Sequence, residues 1–176
     1  MAVNGIFVLS ELEGAASPII HAIQKEFDPK LAAIPVRPHV TIAGSSGTGP
    51  VIAGTTVAEL RAALAPIAAE TAPLTLSFGR PLRYMQTNIV VLPLDPHGSL
   101  RALHERIAVS GLKFEPVRFA FTPHCTLSLY PTHSEDVYRR LLSLCVDEPA
   151  VLRRLSVYRT YDPSRATKLL ELELNG

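Results

Sequence analysis

The chain has 176 residues, 47% of them hydrophobic, and a formal net charge of +1. That is enough apolar material for a packed core, and it excludes a disordered chain. The near-zero charge argues against a protein that tracks a long phosphate backbone, and no apolar run is long enough to span a membrane.

GIFVLSEL (5–12) is short and β-rich and predicts a strand. Ser17-Pro18 then predicts a helix start, with Ser as N-cap and Pro at the first helical position. Ile19, Ile23 and Phe27 follow at helical spacing. IPVRPHVTIAG (34–44) predicts a second strand, followed by a Gly/Ser/Thr-rich loop (44–55). Thr56-Val-Ala-Glu59 is a capping box, in which each side chain can bond the other's free backbone N–H. Leu60, Leu64 and Ile67 continue one helical face, and PLTLSFGRPL (73–82) predicts a third strand.

The same order then begins again. NIVVLPLD (88–95) predicts a strand, and Ser99 is placed to cap a helix carrying Leu100, Leu103 and Ile107. FTPHCTLSLY (121–130) predicts the next strand. Thr132-His-Ser-Glu135 is a second capping-box pattern, before a helix with Val137, Leu141, Leu144 and Cys145 on one face. AVLRRLSVYRTYD (150–162) and ATKLLELEL (166–174) predict strands joined through the turn-rich DPSRA. Strand–helix–strand–helix–strand thus occurs twice, with a further echo between LSFGR (76–80) and LSVYR (155–159). The expectation is an α+β fold of two pseudo-symmetric lobes, each an antiparallel-rich sheet with outer helices, around a central groove. The chain would be one bilobal domain over 1–176, with units at about 5–86 and 87–176 that are free to exchange strands.

RPHVTIAG (37–44) and TPHCTLSL (122–129) both contain Pro-His-x-Thr-aliphatic, on the second strand of each unit. Side chains alternate along a strand, so His39 and Thr41 share one face while Val40 and Ile42 share the other. The second copy places His124, Thr126 and Ser128 together, with Cys125, Leu127 and Leu129 opposite. A single His-x-Thr is usually an ordinary exposed pair. Its repetition in matching elements, after Pro each time, favours two halves of one site. Two imidazoles can serve as acid and base near neutral pH, and two hydroxyls can hold phosphate oxygens.

Other signals are weaker. His21, His97 and His133 are expected to face solvent, and His104 to be a packed or rim histidine. The paired arginines 139–140 and 153–154 suit a solvated face. GSSGTG lacks the G-K-[ST] ending of a phosphate loop and is expected to be a mobile connection. No His/Cys/carboxylate cluster has metal-ligand spacing, so neither metal nor cofactor is expected. The alternation turns Cys125 toward the core, as a small hydrophobe. MAVNGIFVLSELEG has no basic leader region, and Cys125 and Cys145 make no disulfide framework. The expected setting is reducing and cytoplasmic.

With HVTI (39–42) and HCTL (124–127), the chain resembles the 2H phosphoesterases, named for two H-x-[ST]-x motifs in two pseudo-symmetric α+β lobes. The resemblance covers nearly the whole chain. It implies metal-independent hydrolysis of a 2',3'-cyclic phosphate, or a related cyclic phosphate, on nucleotides or RNA ends. His39 and His124 would be catalytic, with His124 as base and His39 as acid in ring opening, and Thr41 and Thr126 would bind the phosphate. Tyr130, Tyr158 and Phe7 are candidates to stack on the nucleoside. The partner would be a small nucleotide or an RNA terminus, with no membrane, and the chain is expected to be a monomer. The RNA ligase-like branch often carries Arg shortly after the motif, where Gly44 and Leu129 stand here. PHVTIA and LSLY look closer to the small plant-type cyclic phosphodiesterases. The alternatives are 2'-5' RNA ligation or RNA 3'-end processing on the same fold, and a non-catalytic nucleotide-binding module.

Overall fold

In chain order the elements are β1 (Gly5–Glu11), α1 (Ala16–Phe27), α2 (Pro29–Ala32), β2 (His39–Ala43), α3 (Val57–Ala69), β3 (Leu74–Leu76) and β4 (Leu82–Arg83). β5 (Val90–Pro93), α4 (Ser99–Ala108), β6 (His124–Ser128), α5 (Glu135–Leu142), β7 (Ala150–Leu152), β8 (Arg154–Asp162) and β9 (Arg165–Glu173) follow. The structure, a computed structural model, describes residues 5–85, 87–95, 97–162 and 165–176. The turn residues Pro163 and Ser164 lie outside the described residues.

Seven strands form one antiparallel sheet in the order β4-β5-β6-β2-β1-β8-β9, and β3 pairs with β7 in a second, two-stranded sheet. With its helices this is the α+β class expected. The two motif strands, β2 and β6, are hydrogen-bonded neighbours at the centre of the large sheet, with Val40 opposite Cys125. The motifs therefore sit side by side on one surface of the sheet.

The sheet order is a palindrome about that central pair. β1 flanks β2 as β5 flanks β6, and β8 flanks β1 as β4 flanks β5; β9 is an addition at one edge. Each half's last strands leave to join the other half: β3 meets β7, and β4 and β8 border strands from the opposite copy of the repeat. A register shift falls between Val8 and Leu9 in β1 and between Val90 and Val91 in β5, at the same distance from each motif.

The core follows the alternation in the sequence. Val40, Ile42, Cys125 and Leu127 are fully buried and join Ile6, Val8 and Val157 of the neighbouring strands. Leu60 and Leu64 of α3 and Leu100, Leu103 and Ile107 of α4 close the same cluster. Removing each such side chain from water contributes about 1.5–3 kcal/mol. The Thr56–Glu59 capping box is present in both directions, and Leu60, Leu64 and Ile67 are buried as the helical face requires.

Several boundaries differ from the sequence expectation, each for a local reason. Helix α1 starts at Ala16 with no side-chain cap, which puts Ser17 and Pro18 inside its first turn. Proline costs little there, because those N–H groups have no helical partner anyway. Its buried face is Ala16, Ile20, Gln24 and Phe27, while Ile19 is exposed: Gln24 turns inward to donate to the Thr126 carbonyl at 2.8 Å. Ser99 does not cap α4; the Asp95 carboxylate accepts from the Leu100 N–H at 3.0 Å. Ser134, not Thr132, caps α5, and the Thr132 hydroxyl accepts from Asn88 instead. That helix ends at Leu142, leaving Cys145 exposed beyond it.

Residues 34–38 stay outside the sheet, since Pro35 and Pro38 have no N–H to pair. The stretch 73–82 contributes β3 to one sheet and reaches β4 in the other, with Gly79 and Pro81 between. The stretch 150–162 likewise splits at Arg153 into β7 and β8, in different sheets. The echo of LSFGR and LSVYR is not the structural repeat. Phe7 pairs with Tyr158, and its counterpart Ile89, immediately before β5, accepts from the Tyr84 N–H at 3.0 Å. The equivalent segments are therefore RPLRY (80–84) and RLSVY (154–158).

Candidate active site

One residue along the pair from Val40 and Cys125, His39 stands opposite Thr126, and Thr41 opposite His124. Directly opposed residues of an antiparallel pair share a face, with Cβ atoms about 4.5–5.5 Å apart. Two histidines and two threonines thus form a square on the polar face of the sheet, each histidine diagonal to the other.

Both rings are held by the same device. His39 Nδ1 lies 2.8 Å from the Arg37 carbonyl, and His124 Nδ1 lies 2.7 Å from the Thr122 carbonyl. A carbonyl only accepts, so each Nδ1 carries the proton and donates it. Each Nε2 is then left as the nitrogen available for chemistry. In both motifs the carbonyl belongs to the residue before the proline, which explains why Pro precedes His twice: its fixed φ shapes the turn that aims this carbonyl at the ring. Burial lowers the affinity of both rings for a proton. At His39 the Arg37 carbonyl and the Glu11 carboxylate oppose that effect, while His124 adds to it. At His124 only the Thr122 carbonyl opposes burial.

A cleft of about 440 Å³ opens on this face. It is lined by His39, Thr41 and Thr126 and by all three aromatic candidates, Phe7, Tyr130 and Tyr158. Gln24 closes one side. His124 is not part of this lining; it stands at the far corner of the square, next to Tyr84. Tyr130 also stacks beneath Lys30, whose Nζ lies 4.6 Å from the ring centre, and its N–H is bound by Asp28. Tyr158 is buried, with its hydroxyl donated to Glu11, and its own ionisation is pushed up to about 12, by burial first and then by that bond. Gly44 occupies a position where a Cβ would lie 2.4 Å from the Phe7 ring and 2.6 Å from the Thr41 methyl. Phe7 thus fills the space that an Arg at position 44 would need.

A second cleft of about 810 Å³ lies across the segment 34–38 and shares Ile34, Val36 and Tyr158 with the first. Arg37, Arg154 and His21 line it. Arg154 is paired with Glu13 and Glu173, whereas the exposed Arg37 side chain has no ion-pair partner among the described residues.

Sequence reasoning missed Tyr84 and Glu11. The Tyr84 hydroxyl lies 3.0 Å from His124 Nδ1, and the two rings meet edge to face. Glu11 is the register partner of His39 across β1 and β2. A motif search cannot find either, because their proximity comes from strand pairing. Of the remaining histidines, His104 is buried, bonded to the Ile42 carbonyl and stacked on Phe121. His21 is half-buried in the second cleft, and His97 is exposed. His133 is not free in solvent as expected: its Nε2 meets the buried Ser128 hydroxyl at 2.9 Å. The loop after β2 is tied down as well, with Gly47 N–H bonded to the Phe119 carbonyl. Cys125 is fully buried, and burial pushes its thiol up to about 12. Among the described residues no three His, Cys, Asp or Glu side chains cluster to hold a metal ion, and no helix is long and apolar enough to cross a membrane.

A central antiparallel pair carrying two His-Thr couples defines a class of protein, and comparison with known proteins agrees. The family model of the 2'-5' RNA ligase superfamily matches residues 11–162, and the chain belongs to that superfamily. Among solved structures, E. coli LigT complexed with 3'-AMP is 18% identical, with 98% of each chain covered and a TM-score of 0.58. E. coli LigT complexed with ATP is 18% identical over the whole of both chains, with a TM-score of 0.60. A structure described as a phosphoesterase is 16% identical over 99% of this chain and 100% of its own, with a TM-score of 0.59. These likenesses establish the fold. No curated protein sequence matches the chain.

Proposed function

We propose that the protein hydrolyses 2',3'-cyclic phosphates on nucleotides or RNA ends by proton transfer between His39 and His124, without a metal. The observation that carries this reading is the square of two histidines and two threonines, with each Nδ1 engaged and each Nε2 available. A water loses its proton to His124 as its oxygen attacks phosphorus in line. The ribose oxygen opposite leaves with a proton from His39. Thr41 and Thr126 hold the non-bridging oxygens as charge shifts onto them. Both proton transfers use imidazoles of this chain. The nucleotides named with the LigT structures, 3'-AMP and ATP, support a nucleotide as ligand here.

The test is turnover of 2',3'-cyclic AMP with and without EDTA. Hydrolysis that EDTA leaves unchanged is the expected result. No turnover of any cyclic phosphate, or turnover abolished by the chelator, overturns the reading.

An RNA end is the second reading, supported by the second cleft, which adjoins the first and offers the exposed Arg37 as a cation for a further phosphate. Arg37→Ala is expected to reduce kcat/KM for a cyclic-phosphate-ended oligonucleotide several-fold, in line with loss of a contact of about 1 kcal/mol. The value for 2',3'-cyclic AMP should hardly move. An equal loss on both substrates would remove the second cleft from the substrate path.

A further inference from the structure

The two histidines are equivalent by symmetry, yet ring opening needs one to give a proton while the other takes one. The symmetry breaks on this face directly beside the two rings. His39 is paired in register with Glu11, and His124 is paired in register with Pro93. These are the same position in the two halves of the sheet. One side therefore presents a carboxylate to its imidazole, and the other a ring with no charge.

The carboxylate is held from the flanking strands. Tyr158 of β8 donates its hydroxyl to Glu11 Oε1, and Lys168 Nζ of β9 stands 3.1 Å from the same oxygen. Lys168 is in turn 2.6 Å from Glu171, which stands 3.9 Å from Arg154, so Glu11 does not have the lysine's charge to itself. The counterpart of Tyr158 is Tyr84. With no glutamate opposite, the Tyr84 oxygen instead lies 3.0 Å from the protonated His124 Nδ1, where it can only accept.

We propose that Glu11, held by Tyr158 and Lys168, is a positioning residue that fixes His39 as the proton donor and leaves His124 as the acceptor. This rests on the reading of the two histidines as the proton-transfer pair. A carboxylate beside an imidazole favours the protonated ring, and His39 must start the cycle protonated. The charged and titratable groups around His39 are Glu11 on β1, His124 on β6, Arg37 before β2, Tyr158 on β8 and Lys168 on β9. Around His124 they are His39 and Tyr84. Burial disfavours the cationic form of both rings, and Glu11 opposes it at His39 alone.

The direct test is Glu11→Gln, which removes the charge, keeps the size and can still accept from Tyr158. In a bell-shaped profile of kcat/KM against pH, the acid limb reports loss of the proton acceptor and the alkaline limb loss of the donor. Glu11→Gln is expected to move the alkaline limb down by roughly one pH unit and leave the acid limb in place. Titration of the imidazole protons by NMR reads the same effect without turnover: the His39 midpoint falls and that of His124 stays. Lys168→Met removes the opposing cation and should move the His39 midpoint the other way, which serves if the glutamine variant folds poorly. A shift of the acid limb would reverse the assignment, and unmoved midpoints would remove Glu11 from the site. If wild type turns over no cyclic phosphate, the hydrolytic reading fails. The NMR titration still decides what Glu11 does, so the two failures are distinguishable.

Discussion

His39→Ala and His124→Ala are each expected to lower kcat for cyclic-phosphate opening by about 10²–10⁴-fold, and the double variant to lose little beyond that. One ring takes the proton of the attacking water as the other supplies the leaving oxygen, so either loss stops the concerted path. KM should move less, because Thr41, Thr126 and the aromatic walls of the cleft remain. The fold should survive, since both rings are only half-buried and the core lies on the other face of β2 and β6. Single-turnover rates of the three variants check this directly. Losses that multiply in the double variant would mean that the rings act independently, and full activity in either single variant would exclude that ring from the chemistry.

The largest effect on stability is expected at Asp28. This residue ends α1 and begins α2, and it is 1% exposed. Its carboxylate accepts from Leu31 N–H at 3.1 Å, Leu129 N–H at 2.7 Å and Tyr130 N–H at 3.0 Å. Asp28→Ala strands all three donors. A buried donor left without a partner costs about 1–3 kcal/mol, and partial access of water brings the expected total to about 3 kcal/mol. Urea unfolding should show a lower midpoint at an unchanged slope. Asp28→Asn should fall between the two, because its single carbonyl oxygen cannot serve both ends. Because two of these donors belong to the turn that carries Tyr130, the alanine variant should also raise KM. A midpoint within about 0.5 kcal/mol of wild type would show that the three N–H groups find other partners.

Period-2 alternation in HVTI and HCTL was legible because it is local. It separates Val40, Ile42, Cys125 and Leu127, all fully buried, from His39, Thr41, His124 and Thr126. The Thr56–Glu59 box was legible for the same reason. The misplaced features depend on partners distant in sequence. Thr132 looks like a cap until Asn88, 44 residues earlier, takes its hydroxyl. Ile19 looks like a core residue until Gln24 rotates the helix to reach Thr126. The match of LSFGR to LSVYR is a likeness of letters, whereas strand register equates Tyr84 with Tyr158. Glu11 gave no signal at all, since nothing in GIFVLSEL marks it apart from any acidic residue at a strand end.

The exchange of last strands between the halves bears on how the chain reaches this state. β1 completes its outer edge only when β8 arrives, and the Ser10 hydroxyl waits for the Arg154 carbonyl, 144 residues away. Closing so long a loop costs entropy before any contact offsets it. The N-terminal half therefore leaves the ribosome with an unpaired strand edge and holds it open until nearly the whole chain has been made. Slow, late folding follows from the same palindrome that brings two histidines together.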